Sequence, residues 1–257
     1  MFIFCKLLHG IKTTTFMCTV TIIPQGTKNF ILTSNRDEAP NRVSLSPEFY
    51  HIQGVKTLFP KDELSGGTWI GVSEKNRLVC VLNGGFKIHE RKASYRKSRG
   101  VVAKDFLILE NIISTIEAYN LNDIEPFTMV LVDWSQKLKF MELVWDGNKK
   151  HFEELPIASK LWSSSTLYSE NMKLERQQWF NDFKANNELN AESILSFHNN
   201  AASDNKDYGV VMDRGFVKTT SITQVEKQGD TIEMSYENLQ NGTIANKTFN
   251  LPQIVNE

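Results

Sequence analysis

The sequence predicts one domain of the α+β class with two packed sheets. Segments with strand-like alternation outnumber segments with helical periodicity, and two hairpin patterns in the first half each end in a polar or glycine-rich cluster. The 257 residues can bury a substantial core, and no internal repeat or linker-like tract divides them. With 40% hydrophobic and 23% charged residues, the composition is that of a globular protein and excludes a disordered chain.

The first hairpin pattern places a polar run beside a cysteine. The segment CTVTII, beginning at Cys18, alternates in the manner of a strand, and NFILTS follows after a turn that contains Pro and Gly. Pairing Ile23 with Asn29 would place Cys18 opposite Ser34, so the run NRDE at 35–38 would lie just past the partner of the cysteine.

The second hairpin pattern delivers glycines to an edge. Strands at 68–73 and 78–83 flank the turn Glu74–Arg77, and pairing Ser73 with Leu78 would place Thr68 opposite Asn83. The glycines of GGT and NGG then meet at one edge, where they would permit close backbone approach to a ligand. The alternative is that these glycines serve turns only.

The remaining segments alternate between helical and strand-like patterns. A core-facing helix is expected over 98–120, because its apolar residues recur at helical spacing. Other predicted elements, in chain order, are two strands around a turn at 135–137, a strand at 160–167, helices at 169–184 and 191–200, a surface loop at 201–207, and strands within 208–225, 230–238 and 243–251.

Charge and cysteine content narrow the classes of partner and compartment. The chain has 29 basic and 30 acidic residues and a net charge of -1, so no overall field favours nucleic acid, and no stretch approaches the length that crosses a bilayer. Three cysteines match no zinc spacing or paired framework, which predicts a soluble cytoplasmic protein without metal or cofactor. The basic run HERKASYRKSR at 89–99 is expected to be a solvated loop, with guidance of an anionic substrate as the alternative.

A cysteine at a chain terminus could carry out nucleophilic catalysis unaided. If Met17 were the initiator and were removed, the α-amine of Cys18 could act as the base for its own thiol. Arg36 could stabilise the thiolate or bind a substrate carboxylate, Asp37 could hold the ammonium, and Asn83 could donate to an oxyanion. The alternative is an ordinary buried cysteine beside a solvated Arg-Asp pair.

Five motifs, in order and spacing, carry a resemblance to a known family. These are MC at 17–18, SNRDE at 34–38, GGTWIGVS at 66–73, LNGG at 82–85 and SRGVVAKDFL at 98–107. The sequence resembles the NRDE family, whose eukaryotic member is the transport and Golgi organisation protein 2. That family in turn is similar to N-terminal nucleophile hydrolases of the choloylglycine and penicillin V acylase kind. The resemblance implies a four-layer αββα sandwich and a cysteine that cleaves a non-peptide amide bond of a small molecule through an acyl intermediate.

The resemblance also implies roles for individual residues. Cys18 would be the nucleophile, Arg36 and Asp37 its partners, and Asn83 the oxyanion donor. Substrate contacts are expected at Asn35, Gly67, Thr68, Trp69, Ser164 and Lys218. Two of these depart from the family pattern, because Lys218 stands where an arginine is usual, and Ser164 or Ser165 replaces a Ser-Asn pair.

The resemblance gives the opening residues a separate status. Residues 1–16 are expected to be a mis-assigned start or a propeptide, with 17–257 forming the single domain. With that leader retained, Cys18 would have an amide nitrogen and could not activate itself.

A rival hypothesis keeps the fold but not the catalysis: the protein would be a binding or trafficking protein that holds a small lipid-like or haem-like ligand. The oligomeric state is not predicted.

Overall fold

The computed structural model describes residues 17–165 and 168–251, so the predicted leader lies outside the described residues, as does the end of the predicted 160–167 strand. Two antiparallel sheets stack face to face. The first has the order β10-β1-β2-β11-β12-β13, with bounds Lys160–Ser163, Met17–Gln25, Asn29–Glu38, Lys218–Gln228, Thr231–Asn238 and Thr243–Asn250. The second has the order β3-β4-β5-β6-β7-β8-β9, with bounds Ser44–Ile52, Val55–Asp62, Ile70–Ser73, Arg77–Asn83, Phe127–Asp133, Lys139–Trp145 and Lys150–Leu155.

Helices cover both outer faces of the paired sheets. Their bounds are α1 Arg99–Leu107, α2 Ile112–Ala118, α3 Glu170–Asn186 and α4 Ala191–Asn200. Helix α1 packs on β5 and β6, whereas α3 contacts β10 and α4 contacts β2 and β11. The predicted αββα sandwich is therefore confirmed. Within the described residues, no helix is both long and apolar enough to cross a membrane.

Strand alternation decides which side chains enter each layer. Val20 and Ile22 on β1 belong to the core between the sheets, together with Cys18. Ile23 and its β2 partner Ile31 point the other way and pack with α3 and α4 in a second apolar cluster. This period of two places Cys18 on the face that looks toward the second sheet.

The first hairpin forms with a register two residues from the predicted one. The turn is shorter than expected, because Gly26 adopts a φ of 73° and Gln25 still pairs with Asn29. Cys18 therefore lies opposite Arg36, and Met17 opposite Asp37. A shift of two keeps every side chain on its predicted face but brings the polar run directly across from the cysteine.

The second hairpin differs by one residue. Its turn occupies 74–76, Ser73 pairs with Arg77, and Ile70 pairs with Cys80. The predicted turn residue Arg77 is instead a buried strand residue that forms an ion pair with Asp133 at 3.1 Å. Because a one-residue shift exchanges the faces of a strand, the predicted pairing of this hairpin is wrong.

Other boundaries also differ from the sequence prediction. The helix expected over 98–120 is two helices, and Ile113, expected in the core, is 40% exposed. The hairpin of β3 and β4 and the strand β9 were not predicted, and residues 208–217 form a loop before β11. The helix at 191–200 is confirmed, with Asn190 as its N-cap.

Candidate active site

A cleft opens at the end of the sandwich where β1 begins and β2, β4 and β6 end. Its volume is about 270 Å³. Seven of the predicted site residues line it, namely Cys18, Arg36, Asp37, Asn83, Gly67, Thr68 and Trp69. The structure thus brings together residues from four separate sequence segments. The described residues hold no cluster of three or more potential metal ligands.

Cys18 lies at the floor of this cleft and is only 4% exposed. Burial, followed by the nearby negative charge of Asp37, raises the pKa of its thiol well above the ordinary value. A buried thiol of this kind is a poor nucleophile at neutral pH. Catalysis at Cys18 therefore requires a base that the peptide-linked residue does not itself provide.

Asp37 has one satisfied and one unsatisfied oxygen. Its Oδ1 accepts a hydrogen bond of 2.5 Å from the hydroxyl of Thr219, while the buried Oδ2 has no hydrogen-bond partner. Burial raises the pKa of this carboxyl to about 7, against the opposing effects of the Thr219 hydrogen bond and of Arg176. Asp37 is the cross-strand partner of Met17, the residue that precedes Cys18, and it lines the same cleft as the cysteine.

Arg36 is held by carboxylates from both sheets. Its Nη2 donates to Asp62 on β4 at 2.6 Å and to Glu38 on β2 at 3.1 Å, and its Nη1 donates to Ser44 at 3.0 Å. The guanidinium also stacks on Trp69, 4.5 Å from the ring centroid. These contacts fix Arg36 as a link between the two sheets at the mouth of the cleft.

Asp62 also organises the neighbouring Arg42. Arg42 donates to both oxygens of Asp62, from Nε at 2.7 Å and from Nη2 at 3.0 Å. Burial acts to raise the pKa of Asp62, but hydrogen bonds from Arg42 and Ser65 outweigh it and lower the pKa. Burial also raises the pKa of Glu38, against the effect of Arg36. The result is a buried network of alternating charges along one wall.

Asn83 and Ser164 connect the two sheets beside Cys18. The backbone N–H of Ser164 donates to the carbonyl of Cys18 at 3.1 Å, and its hydroxyl donates to the backbone carbonyl of Asn83 at 2.6 Å. Asn83, the last residue of β6, lines the cleft, whereas Ser164 does not. The serine predicted to contact substrate therefore lies behind the cleft and positions Cys18 relative to Asn83.

The glycine-rich edge packs against the start of α1. A Cβ on Gly67 would lie 2.6 Å from the backbone of Gly100, and Thr68 N–H donates to the carbonyl of Gly100 at 3.2 Å. The hydroxyl of Thr68 lies 2.7 Å from the carbonyl oxygens of both Pro60 and Ile70. Only a glycine fits at 67, so this edge serves helix packing as well as lining the cleft.

Asn35 lies on the other face of β2. Its Nδ2 donates to the carbonyls of His198 and Val210 at 3.0 and 2.8 Å, and its Oδ1 lies 2.7 Å from Nδ1 of His198. This predicted placement at the substrate is corrected, because strand alternation turns Asn35 toward α4. Burial, then the charge of Arg176, lowers the pKa of His198 to about 3, so this histidine is neutral and engaged away from the cleft.

Lys218 also does not line the cleft. It is half-buried at the start of β11, where its backbone pairs with Glu38 across the ladder and forms an isolated antiparallel β-bridge with Asp213. Lys218, which was predicted to contact substrate, therefore lies outside the cleft, next to the bulge between Thr219 and Ser221.

Other residues of the cleft and its surroundings differ in how far the sequence indicated them. Arg99 ends the basic run 89–99, for which guidance of an anionic substrate was the alternative to a solvated loop; it lines the cleft and pairs with Glu125 at 3.3 Å. Arg176 on α3 is fully buried and bonds to Ser163 and to the carbonyls of Tyr208 and Gly209. No local pattern identifies Arg176, whereas the β-favouring run VKTLF at 55–59 could have predicted the strand that ends at Asp62.

A family model described as transport and Golgi organisation 2 matches residues 17–246. The chain belongs to this family. The match begins at Met17, one residue before the cleft cysteine, and includes every residue that lines the cleft. A sequence comparison with curated proteins finds no significant match for this member of the transport and Golgi organisation 2 family.

Solved structures of amide hydrolases share the fold of this family member. A variant of the conjugated bile acid hydrolase from Clostridium perfringens is 11% identical, with a TM-score of 0.55, over 93% of this chain and 100% of the other. Penicillin V acylase from Agrobacterium tumefaciens is 10% identical, with a TM-score of 0.52, over 88% and 84%. The N-acylethanolamine-hydrolyzing acid amidase orthologue of Caenorhabditis elegans is 10% identical, with a TM-score of 0.54, over 80% and 92%. The chain therefore has the N-terminal nucleophile hydrolase fold.

Proposed function

We propose that the protein is an N-terminal cysteine hydrolase that cleaves a non-peptide C–N bond of a small amide. The observation that carries this proposal is the position of Cys18 in the cleft, beside an unsatisfied Asp37 oxygen at the start of β1. The amide hydrolases that share the fold support the reaction class by analogy. We further propose a cytoplasmic protein in which 17–257 form one domain.

The proposal requires that the mature chain begin at Cys18. A peptide nitrogen on Cys18 cannot accept the thiol proton, whereas a free α-amine can. As an ammonium, that group would also supply the partner that the Oδ2 atom of Asp37 lacks. Residues 1–16 are then a mis-assigned start or a propeptide, and Met17 is removed in either case.

The proposed reaction has two steps at one carbon. The α-amine takes the thiol proton and the sulfur of Cys18 attacks the amide carbonyl, with the side-chain amide of Asn83 donating to the oxyanion. The amine part of the substrate takes that proton from the α-ammonium and leaves, and the acyl part remains on Cys18 as a thioester. Water, deprotonated by the same α-amine, then releases the carboxylic acid. Arg36 favours the thiolate, because its charge acts to lower the pKa of the Cys18 thiol.

The second cysteine offers a matched control for testing this chemistry. Cys18→Ser and Cys80→Ser make the same change at two fully buried thiols, of which only Cys18 lines the cleft. On a panel of N-acyl amides, we expect Cys18→Ser to lower turnover by at least about a thousandfold. Cys80→Ser should keep most of it. Equal turnover in the two variants would refute the proposal that Cys18 is the nucleophile.

One observation favours a second candidate, a non-catalytic binding protein. Burial strongly raises the pKa of Cys18 as placed, which suits an inert thiol in a chain that keeps residue 17. In that case the cleft would hold a small lipid-like or haem-like ligand without cleaving it. Stoichiometric binding that survives Cys18→Ala, with no product released, would favour this candidate over the hydrolase.

A further inference from the structure

Exposed apolar side chains concentrate at the cleft end of the sandwich. Ten large apolar residues are exposed in the described part of the chain, and seven of them lie in or next to the loops at this end. These seven form what we call the rim: Val43, Leu45, Leu64, Phe86, Ile88, Phe216 and Ile244. The topology places them together, because β2, β4 and β6 end there and β3 and β11 begin there. The rim therefore lies at the same end of the sandwich as the cleft, outside the residues that line it.

A basic segment begins at two of the rim residues, Phe86 and Ile88. Residues 86–99 contain six Lys or Arg residues and one Glu, although the whole chain has a net charge of -1. Some of these cations form surface pairs, such as Lys92 with Asp123 at 3.0 Å, but such pairs are weak and exchange with other anions. Lys87 is exposed between Phe86 and Ile88 and forms no ion pair with a described residue.

From this combination we infer that the rim docks on the surface of an anionic lipid bilayer and presents the cleft to it. Single apolar side chains interspersed with Lys and Arg suit the boundary between headgroups and acyl chains. A protein interface fits less well, because its core is depleted in lysine. The exposures of Leu64 at 81% and Ile88 at 72% leave both side chains free to insert.

The inference does not depend on the hydrolase chemistry. It concerns how the cleft meets its surroundings, and either a hydrolase or a binding protein could use it. A substrate or ligand with an acyl chain would then enter the cleft from the bilayer without crossing water. Docking of this kind needs both the basic segment and the apolar side chains, since neither alone holds a protein firmly at a membrane.

Vesicle cosedimentation tests the rim with the full chain. The probes are vesicles of phosphatidylserine and phosphatidylcholine in a ratio of about 3:7, and vesicles of phosphatidylcholine alone. We expect binding to the anionic vesicles that falls steeply with added salt, and little binding to the neutral ones. Lys87→Gln should weaken binding about fivefold. The matched control Lys137→Gln, at an exposed turn on the opposite end, should not.

The apolar contribution has its own matched pair of variants. The double variant Leu64→Ser and Ile88→Ser should weaken binding at least about tenfold. Leu174→Ser combined with Ile157→Ser changes residues of the same kind, 67% and 43% exposed, outside the rim and should have no effect. Absence of binding, equal binding to both kinds of vesicle, or equal effects of rim and control variants would overturn the inference. So would a dimer that the rim variants dissociate in the absence of vesicle binding.

Discussion

The carboxyl of Asp37 links the pH dependence of stability to the residue that begins the chain. Asp37 is 1% exposed, and burial raises its pKa from 3.8 to about 7 when residue 17 is attached. A raised pKa means that the folded state binds the proton more tightly than the unfolded state does. The stability that this group contributes is therefore complete below pH 3.8 and is lost as the pH rises to about 7.

The expected magnitude follows from the size of that shift. A pKa that rises from 3.8 to about 7 corresponds to about 4 kcal/mol of unfolding free energy, lost between pH 4 and pH 7. Asp37→Asn keeps an acceptor for the hydroxyl of Thr219 and removes the titrating group. In the full chain, the variant should therefore be more stable than the wild type at pH 8, by up to about 4 kcal/mol, and similar to it at pH 4.

A chain that begins at Cys18 should behave in the opposite way. Its α-ammonium would replace the peptide to Met17, the ladder partner of Asp37, and a nearby positive charge lowers the pKa of a carboxyl. Asp37→Asn then removes the partner of a buried cation and should cost about 1–3 kcal/mol at pH 7.

Urea denaturation followed by tryptophan fluorescence measures both cases. The full chain and a form released at Cys18 from a removable N-terminal fusion should each be compared with their Asn variants at pH 4, 6 and 8. If wild type and variant show parallel pH profiles in the full chain, or if the substitution acts alike in both forms, the reasoning is wrong.

Three further predictions concern the groups around the cleft. Arg36→Met removes the cation that pairs with both Glu38 and Asp62, and leaves these two buried carboxylates close to each other. The variant should lose about 3 kcal/mol of unfolding free energy at pH 7 and less at pH 4. An unchanged urea midpoint at pH 7 would contradict this prediction. Burial lowers the pKa of His198 from 6.5 to about 3, so the stability that this residue contributes is complete above pH 6.5 and is lost as the pH falls to about 3. His198→Gln should therefore reduce the loss of unfolding free energy in acid by up to about 5 kcal/mol. An equally steep loss in the variant would refute this prediction. Gly67→Ala would place a Cβ 2.6 Å from the backbone of α1 and should lower the free energy of unfolding by about 1–3 kcal/mol. An unchanged urea midpoint at pH 7 would contradict this.

Local sequence pattern was sufficient to predict which residues lie near Cys18. Alternation along CTVTII and NFILTS predicted a hairpin, and the polar run after it fell beside Cys18 because a hairpin returns its ends to one place. The register was wrong by two because turn length depends on whether Gly26 adopts a positive φ, which composition does not specify. Each side chain still lies on its predicted face of the sheet, because side-chain direction in a strand repeats every two residues.

The β3-β4 hairpin had a readable signal that was overlooked. Its turn is Gln53-Gly54, both with positive φ, at 50° and 84°, as a two-residue hairpin turn requires. Recognising it would have placed Asp62 at the cleft end of the second sheet, within reach of Arg36. The charge network of the cleft wall would then have been predictable in outline.

Other parts of the site could not have been predicted from one sequence. Arg176 reaches the outer face of β1 from a helix more than 150 residues away, and bonds chiefly to backbone carbonyls that carry no sequence signal. Asn35 was assigned to substrate by its place in the NRDE run, but consecutive strand residues face opposite layers. A conspicuous run therefore divides between two environments, with Arg36 in the cleft wall and Asn35 under α4.

Identification of the first residue tests the central claim most directly. Intact mass and N-terminal fragmentation of the protein made from the full 257-residue frame would show which residue carries the free amine. The account predicts a chain that begins at Cys18, with a free amine beside Asp37. A purified chain that keeps Met17, with or without the residues before it, would contradict the proposed nucleophile and favour the binding protein.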